Sequence, residues 1–248
     1  MLKYGDNNIG KVYLGSNSIG KAYYGSNLVF QKGSGPTPPP YTPVDYIETD
    51  GVAYINTGIK GNVQRSVELY MTPVIPASGN DYVMGCRKDS GDTRFIPLLI
   101  HSAGYAGCAY GSSIYNGTQN SVNCSTSATN KTPMYVRCSF NVGALYFGVK
   151  QAGESSYTTR THTNSASIST DMNMFVLACN FYDAVSPAEA GTRLYHLKIW
   201  GAGDYTTNLL FDGIACIYNG EYGLWDKVSN SFFGNAAESG AFFGPSNS

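Results

Sequence analysis

Charged residues are scarce in this chain, and their scarcity excludes a class of partner. Asp, Glu, Lys and Arg make up 13% of the 248 residues and leave a net charge of −1, whereas about 25% is usual for soluble domains. Lys and Arg form no cluster of the kind that binds the phosphates of nucleic acids. The sequence therefore predicts no nucleic-acid partner.

Long apolar runs are absent as well. No stretch approaches the roughly 18 apolar residues that span a bilayer, and the N-terminus has neither the hydrophobic core of a secretion signal nor a lipid-attachment cysteine. We therefore expect that the protein is made in a host cytoplasm and does not insert into a membrane.

Cysteine and histidine are too few and too scattered to predict a metal site. The six cysteines contain no CxxC pair, and they are Cys86, Cys108, Cys124, Cys138, Cys179 and Cys216. We expect them to be reduced and mostly buried, with an inter-strand disulfide as the less favoured alternative. His101, His162 and His196 lie far apart, and no Cys/His cluster has zinc spacing.

The carboxylates do not predict an enzyme. Glycosidases place two carboxyl groups roughly 5–9 Å apart across the sugar. Glu48 and Asp50 are close in sequence, but they lie in a strand and turn beside Gly51, a poor place for a concave site. No Gly-x-Ser-x-Gly segment supports a nucleophilic serine. We predict no catalytic residue, no enzyme activity and no cofactor.

Calcium is the one metal with a candidate segment. Asp89-Ser90-Gly91-Asp92 is rich in the oxygen ligands that calcium prefers. An ordinary turn is the favoured interpretation of these four residues, so we predict no metal ligands.

What the chain does contain is a threefold repeat at its N-terminus. Residues 1–10, 11–20 and 21–30 read MLKYGDNNIG, KVYLGSNSIG and KAYYGSNLVF. Each copy joins a short apolar/polar alternation to a Gly-Asp-Asn or Gly-Ser-Asn turn, which predicts a three-stranded meander with one strand and turn per copy. Thirty residues bury too little apolar surface to be stable alone.

The repeat therefore predicts a docking or oligomerisation module, which sister copies or a larger partner would cover. The alternative is a decorative hairpin packed on the main domain. The side chains expected to make the contact are Tyr4, Ile9, Val12, Leu14, Ile19, Tyr24 and Val29. We expect a homo-oligomer, with a trimer as the simplest arrangement.

Residues 31–43, QKGSGPTPPPYTP, predict a linker that is flexible at its glycines and extended at its prolines. From residue 44 to residue 248, short strands alternate with Gly, Asn, Ser and Pro clusters. This pattern predicts an all-β, two-sheet antiparallel jelly-roll sandwich, with one turn of helix at 186–190. The predicted strands are 45–49, 53–57, 65–71, 81–86, 94–100, 107–110, 134–140, 144–150, 166–169, 172–178, 193–200, 209–217, 223–226 and 231–233.

Both ends of this domain resemble a known family. Residues 44–58, VDYIETDGVAYINTG, resemble the opening of concanavalin A-like (LamG-like) jelly-roll domains of tailed-phage structural proteins and of surface proteins of gut bacteria. Four later segments resemble the closing strands of that family: LYHLKIW at 194–200, LFDGIAC at 210–216, GLWDKVSNSFFGN at 223–235 and SGAF at 239–242.

The resemblance covers residues 44–245 at both ends but not in the middle, 72–170. It implies two antiparallel sheets whose first and last strands lie close together, and a role in adhesion or virion structure. The N-terminal repeat resembles short leaders on phage structural proteins. The family supplies no invariant functional residue.

Tyrosine occurs 20 times, and an aromatic plate with a hydroxyl suits a glycan-facing surface. A glycan site combines such plates with amides on loops at the sandwich edge. The predicted glycan-binding residues are Tyr105, Tyr110, Tyr115, Asn116, Tyr157 and Arg160. Solvated loop or subunit contact is the alternative for each of them.

These observations predict a phage virion structural or adhesion protein, fibre-like or decorating the particle. Residues 1–30 would bind other virion proteins, and the sandwich would face outward to bind a host-surface glycan. The first alternative is a stand-alone bacterial surface lectin. The less favoured alternative is a polysaccharide-degrading enzyme.

Overall fold

The computed structural model describes residues 39–245 apart from 63, 89–93, 112, 116–121, 124–131, 142, 165–168 and 183, together with six short strands between residues 3 and 31. Its chain divides into two compact units, Met1–Pro40 and Tyr41–Ser248. Each unit is described by itself.

The first unit contains three separate hairpins. Strand β1 (Lys3–Tyr4) pairs with β2 (Asn7–Asn8), β3 (Val12–Leu14) with β4 (Asn17–Ile19), and β5 (Lys21–Tyr24) with β6 (Asn27–Gln31). Each ten-residue copy is therefore a complete two-stranded hairpin, and the predicted three-stranded meander is wrong.

The sequence pattern explains this difference. Apolar and β-branched residues occur on both sides of each Gly-Asp or Gly-Ser pair, so ten residues suffice for two short strands joined at that pair. The predicted docking residues in these strands are Tyr4, Val12, Leu14, Ile19, Tyr24 and Val29. Ile9 lies outside the described residues.

The second unit contains twenty strands among its described residues and no helix long and apolar enough to cross a membrane. They are β7 (Thr42–Pro43), β8 (Ile47–Thr49), β9 (Ile55–Asn62), β10 (Arg65–Thr72), β11 (Asn80–Arg87), β12 (Arg94–His101), β13 (Tyr105–Tyr110), β14 (Ser113–Tyr115), β15 (Val122–Asn123), β16 (Met134–Asn141), β17 (Gly143–Gln151), β18 (Thr158–Asn164), β19 (Ser169–Val176), β20 (Ala178–Phe181), β21 (Ala184–Pro187), β22 (Arg193–Trp200), β23 (Leu209–Tyr218), β24 (Glu221–Asp226), β25 (Ser231–Phe233) and β26 (Phe242–Phe243).

These strands form two sheets. The larger has the order β18-β17-β16-β10-β22-β23-β24-β25, with β7, β8 and β26 attached to it, and the smaller has the order β14-β13-β12-β11-β19-β9, with β15, β20 and β21 attached. Pairing is antiparallel except between β11 and β20, where Cys86 and Asn180 face each other in parallel. The predicted all-β sandwich is confirmed.

The core lies between the sheets, because alternate side chains of each strand point inward. On β10, Val67, Leu69 and Met71 are fully buried in one apolar cluster with residues of the smaller sheet such as Phe95. The ring of Phe95 lies 4.3 Å from that of Phe140 on β16. The intervening residues of β10 consequently occupy the outer face of the larger sheet.

The two ends of the second unit meet, as the resemblance implied. Thr49 of β8 is opposite Phe242 of β26. Tyr41 stacks on Trp225 at 4.9 Å, and β7 pairs with β23. Residues 41–43, which the sequence assigned to the linker, therefore belong to the sandwich.

The predicted helical turn at 186–190 is wrong. Its first residues belong to β21, which pairs with β20 by placing Val185 opposite Asn180 and Ser186 opposite Cys179. The β-branched Val185 favours this extended conformation. Strand β18 was not predicted because its threonine-rich sequence shows no apolar alternation.

Five cysteines are free and buried in the described part of the chain: Cys86, Cys108, Cys138, Cys179 and Cys216. Burial raises the pKa of the Cys86 thiol to about 12, which keeps it protonated and unreactive at neutral pH. The cysteines thus act as small core residues, as expected. Cys124 lies outside the described residues.

Candidate functional site

Four tyrosines form a row across the outer face of the larger sheet. Tyr135 lies on β16, Tyr70 on β10 and Tyr195 on β22, while Tyr46 immediately precedes β8. All four are half-buried. We call these four residues the tyrosine row.

The rings of the row are in continuous contact. Tyr70 stacks on Tyr135 with centroids 4.2 Å apart, and its ring is tilted by 30° against that of Tyr195 at 4.5 Å. Tyr195 meets Tyr46 edge to face at 5.8 Å. The hydroxyl of Tyr195 also lies 2.9 Å from Oγ1 of Thr72. These contacts fix the ring positions without a ligand.

Cationic side chains extend the row at both ends. The guanidinium of Arg193 lies 4.4 Å from the ring centroid of Tyr46. At the other end, Nζ of Lys150 lies 4.6 Å from the Tyr135 ring and 5.4 Å from the Tyr157 ring. Arg137 covers Tyr157 at 4.8 Å. Each cation–π contact contributes on the order of 0.5–1 kcal/mol at an exposed site.

A row of alternating charge runs beside the tyrosine row. In the strand register, Arg137 is opposite Glu68, Glu68 is opposite Lys198, and Lys198 is opposite Asp212. Nε of Arg137 donates to Oε2 of Glu68 at 2.6 Å. Burial alone would lower the pKa of Arg137, but its hydrogen bond with Glu68 and the charge of Glu68 raise that pKa on balance.

A groove opens next to the row. It is lined by Tyr46, Tyr70, Tyr195, His196 and Ile214 and by the segment 43–45, and its volume is about 580 Å³. Ligand sites usually measure about 300–1,000 Å³. Nε2 of His196 lies 2.6 Å from Oδ1 of Asp212, which holds the imidazole in place. We call this feature the tyrosine groove.

The surface offers hydroxyl groups more than ring faces. The planes of Tyr70 and Tyr135 differ by 11°, so the two rings cover each other's faces. Since side chains stand upright on a sheet, solvent meets ring edges and phenol hydroxyls. Burial, followed by the neighbouring Tyr135 and Tyr195, raises the pKa of Tyr70, so its hydroxyl can donate and accept hydrogen bonds at neutral pH.

One predicted glycan-binding residue joins this surface. Tyr157 lies against Arg137 and Lys150 at the end of the tyrosine row. Burial, opposed by the charge of Arg137, raises the pKa of its hydroxyl to about 12. Arg160 lies on the edge strand β18, opposite Phe147 of β17 in the register, and its Nη1 donates to the Thr159 carbonyl. Arg160 makes no described contact with the row.

The prediction that Tyr110 binds a glycan is wrong. Its side chain is 1% exposed and stacks on Phe140 at 5.0 Å. It occupies an inward position of β13 and is a core residue, so no glycan reaches it.

The other predicted residues belong to the smaller sheet or are not described. Tyr105 begins β13, where its ring lies 6.4 Å from that of His101. Tyr115 lies on β14 opposite Cys108. Asn116 lies outside the described residues.

The sequence prediction missed Tyr46, Tyr70, Tyr135 and Tyr195, although a signal for two of them was present. Tyr70 and Tyr135 each stand between inward-facing apolar residues, in Leu69-Tyr70-Met71 and Met134-Tyr135-Val136. A search for tyrosines at the outward positions of predicted strands would therefore have found Tyr70 and Tyr135 as candidate binding residues.

The two carboxylates weighed in the sequence analysis, Glu48 and Asp50, have structural partners. Glu48 accepts from Nε of Arg193 at 2.6 Å. Asp50 accepts hydrogen bonds from the backbone N–H groups of Val52, Ala53 and Ala241, which ties the two ends of the domain together. No group of three or more His, Cys, Asp or Glu residues could hold a metal within the described residues. The calcium candidate at 89–92 lies outside the described residues.

No protein-family model and no curated protein matches this chain. Among solved structures, it is similar to the enzymatically active domain of tailspike protein 2 of bacteriophage CBA120, with 8% identity and a TM-score of 0.44 over 61% of this chain. It is also similar to full-length tailspike protein 2 from an Escherichia coli O157:H7 bacteriophage, with 10% identity and a TM-score of 0.47 over 70% of this chain. The chain spans 26% and 28% of those two tailspike chains.

Proposed function

We propose that this chain is a carbohydrate-binding adhesion protein of a phage virion, and that the tyrosine row and the tyrosine groove contact the glycan. The observation that carries the proposal is the unbroken ring contact of four half-buried tyrosines on the solvent side of a sheet. The solvent face of an antiparallel sheet is usually polar. Tyrosine is instead enriched at contact surfaces, because it combines a rigid apolar body with a hydroxyl.

The chemistry of the surface suits a saccharide. Sugar hydroxyls need partners that both donate and accept hydrogen bonds, and phenol hydroxyls do both. His196 adds a further polar group beside the rings. Because the ring contacts hold these groups in place before binding, little conformational entropy is lost when a ligand arrives.

The N-terminal unit has a separate role in the proposal. Two-stranded hairpins are marginal in water when nothing covers them, and this unit consists of three such hairpins in its described strands. We assign residues 1–30 to binding other virion proteins or sister copies in a homo-oligomer, with a trimer as the simplest arrangement. The proposal includes binding without hydrolysis.

Binding is tested with the full chain on an array of bacterial polysaccharides. Tyr70→Ala and Tyr195→Ala should each weaken binding by about tenfold or more, as loss of a central aromatic contact does. Tyr182→Ala is the matched control, because Tyr182 is 60% exposed at the end of β20 in the smaller sheet. Equal losses of binding in all three variants, or no loss in Tyr70→Ala and Tyr195→Ala, each measured well below its unfolding midpoint, would refute the assignment of the site.

Assembly and catalysis have their own measurements. Sedimentation should show an oligomer for the full chain and a monomer for a chain that begins at Tyr41. Release of reducing ends from a bound polysaccharide would contradict binding without hydrolysis and would favour the degrading enzyme.

A further inference from the structure

We propose that the glycan is acidic, a polysaccharide with carboxylate groups along its chain. This inference rests on the proposed function and names the class of ligand that the same surface takes. It starts from the positions of the cationic side chains around the tyrosine row, where Arg193 and Lys150 lie at opposite ends.

Three carboxylates of this face have partners. Glu68 lies 2.6 Å from Arg137, Glu48 lies 2.6 Å from Arg193, and Asp212 lies 2.6 Å from His196. Glu48 and Glu68 therefore offer a ligand little free negative charge, whereas Asp212 is paired with an imidazole and Asp45 of the groove lining has no ion pair among the described side chains.

Two lysines on the same face have no carboxylate partner among the described ion pairs. Lys150 lies against the rings of Tyr135 and Tyr157, and Lys198 stands between Glu68 and Asp212 in the register. Neither lysine forms an ion pair among the described side chains.

The two arginines retain donors for a ligand. Arg137 and Arg193 meet their glutamates through Nε. A guanidinium also carries two Nη groups, whose geometry matches a carboxylate. A ligand carboxylate at either end of the row can therefore be bound without breaking the existing ion pair.

The positions of the cations fit a polymer better than a single anion. Arg193 and Lys150 lie at opposite ends of the tyrosine row, whose rings cross the strands β22, β10 and β16. Strands are spaced by about 4.8 Å, so Lys150 on β17 lies roughly 14 Å from the axis of β22. A chain that repeats its carboxylates can reach both ends while its sugars lie along the hydroxyls.

The test uses the full chain and a panel of bacterial polysaccharides that contain uronic acids, each paired with its carboxyl-reduced neutral form. We expect the acidic forms to bind about tenfold or more tightly than their reduced forms, and this difference to shrink at high salt. Neutral polysaccharides should be the weakest ligands of the panel.

Variants connect this preference to the surface. Lys150→Gln should weaken binding of the acidic form about tenfold and leave the reduced form unchanged, and Lys150→Arg should restore the preference. Lys60→Gln is the matched control, because Lys60 is exposed on β9 of the smaller sheet. Unfolding midpoints of all variants show that the fold is intact.

Each outcome decides between the two proposals. If acidic and reduced forms bind equally well, or if Lys60→Gln has the same effect as Lys150→Gln, the acidic ligand is refuted and carbohydrate binding stands. If no member of the panel binds, both proposals fall.

Discussion

Tyr70 and Tyr135 are directly opposite each other on β10 and β16, and their rings lie parallel at 4.2 Å with an interplanar angle of 11°. Cross-strand aromatic pairs of this kind stabilise a sheet by about 0.5–1.5 kcal/mol beyond area burial. The pair also supports Tyr195, whose ring lies 4.5 Å from Tyr70 in the wall of the tyrosine groove. Sheet stability and site geometry therefore depend on the same rings.

Two substitutions of Tyr70 separate these roles. Tyr70→Phe keeps the ring contacts and should change the free energy of unfolding by less than about 0.5 kcal/mol, while the loss of the hydroxyl weakens glycan binding. Tyr70→Ala removes both contacts and should cost about 1–2 kcal/mol. Urea unfolding and titration calorimetry measure the two effects.

A double-mutant cycle is the control for this pair. Combining Tyr70→Ala with Tyr135→Ala should give a coupling energy of about 1 kcal/mol. A coupling energy near zero would show that the stacked rings do not support each other.

Asp81 predicts how stability depends on pH. It is 6% exposed, and its Oδ2 accepts a hydrogen bond from the Glu189 N–H at 3.2 Å. Burial raises the pKa of its carboxyl to about 7 from an ordinary value of 3.8, and the charge of Glu189 adds to the rise. Below pH 3.8 both folded and unfolded states hold the proton. Above that pH the unfolded state releases it first, so the folded state loses stability until the pH passes about 7.

Asp81→Asn removes this loss because asparagine does not ionise. The variant should gain stability relative to the parent as the pH rises, by about 2–4 kcal/mol at roughly pH 8. Denaturation midpoints across the pH range measure the gain. Asp171→Asn is the control with opposite sign, since hydrogen bonding to its own backbone and to Lys88 lowers the pKa of that exposed carboxyl. A gain in Asp81→Asn that does not vary with pH would contradict the argument.

The sequence predicted the architecture where apolar residues alternate. Strands 193–200 and 231–233 were predicted with the bounds that β22 and β25 have. The polar edge strand β18 was missed because its threonines give no alternation. The hairpins of the first unit were miscounted, since a turn within one copy and a turn between copies use the same residue types.

The site was harder to predict than the fold because it depends on register. Tyr46, Tyr70, Tyr135 and Tyr195 come from distant segments, and a shift of one residue moves a side chain to the opposite face. The register between β10 and β22 also changes after Tyr70, which places Met71 opposite Leu194. No local sequence pattern predicts such a bulge. The glycan-binding residues were instead predicted in loops, because the composition of those loops is rich in tyrosine and asparagine.

Gly85 tests how closely β11 and β12 pack. Its φ is +146°, and a Cβ there would lie 2.5 Å from the Phe95 carbonyl oxygen and 2.7 Å from Cα of Ile96. Gly79 has a φ of +69° with nothing within 4 Å of the same position. Gly85→Ala should therefore cost about 3 kcal/mol or more, and Gly79→Ala about 1 kcal/mol. Similar unfolding midpoints for the two variants would show that the backbone of Ile96 moves aside.

The segment 41–43 gives the last prediction, because it was assigned to the linker but contacts the sandwich. Tyr41 stacks on Trp225, Thr42 pairs with Ile217, and Pro43 lines the tyrosine groove. A chain that begins at Tyr41 should match the stability of the second unit in the full chain. A chain that begins at Val44 should lose about 1–2 kcal/mol and should bind glycan more weakly.

A substitution in the full chain distinguishes loss of these contacts from damage caused by a new terminus. Tyr41→Ala should reproduce most of the stability loss, since it removes the stacking on Trp225 and keeps the backbone pairing of β7. It should leave glycan affinity nearly unchanged, because Pro43 still closes the groove. If the chains beginning at Tyr41 and Val44 unfold at the same urea concentration, the boundary predicted from the sequence is the energetic one, and the contacts of residues 41–43 contribute no stability.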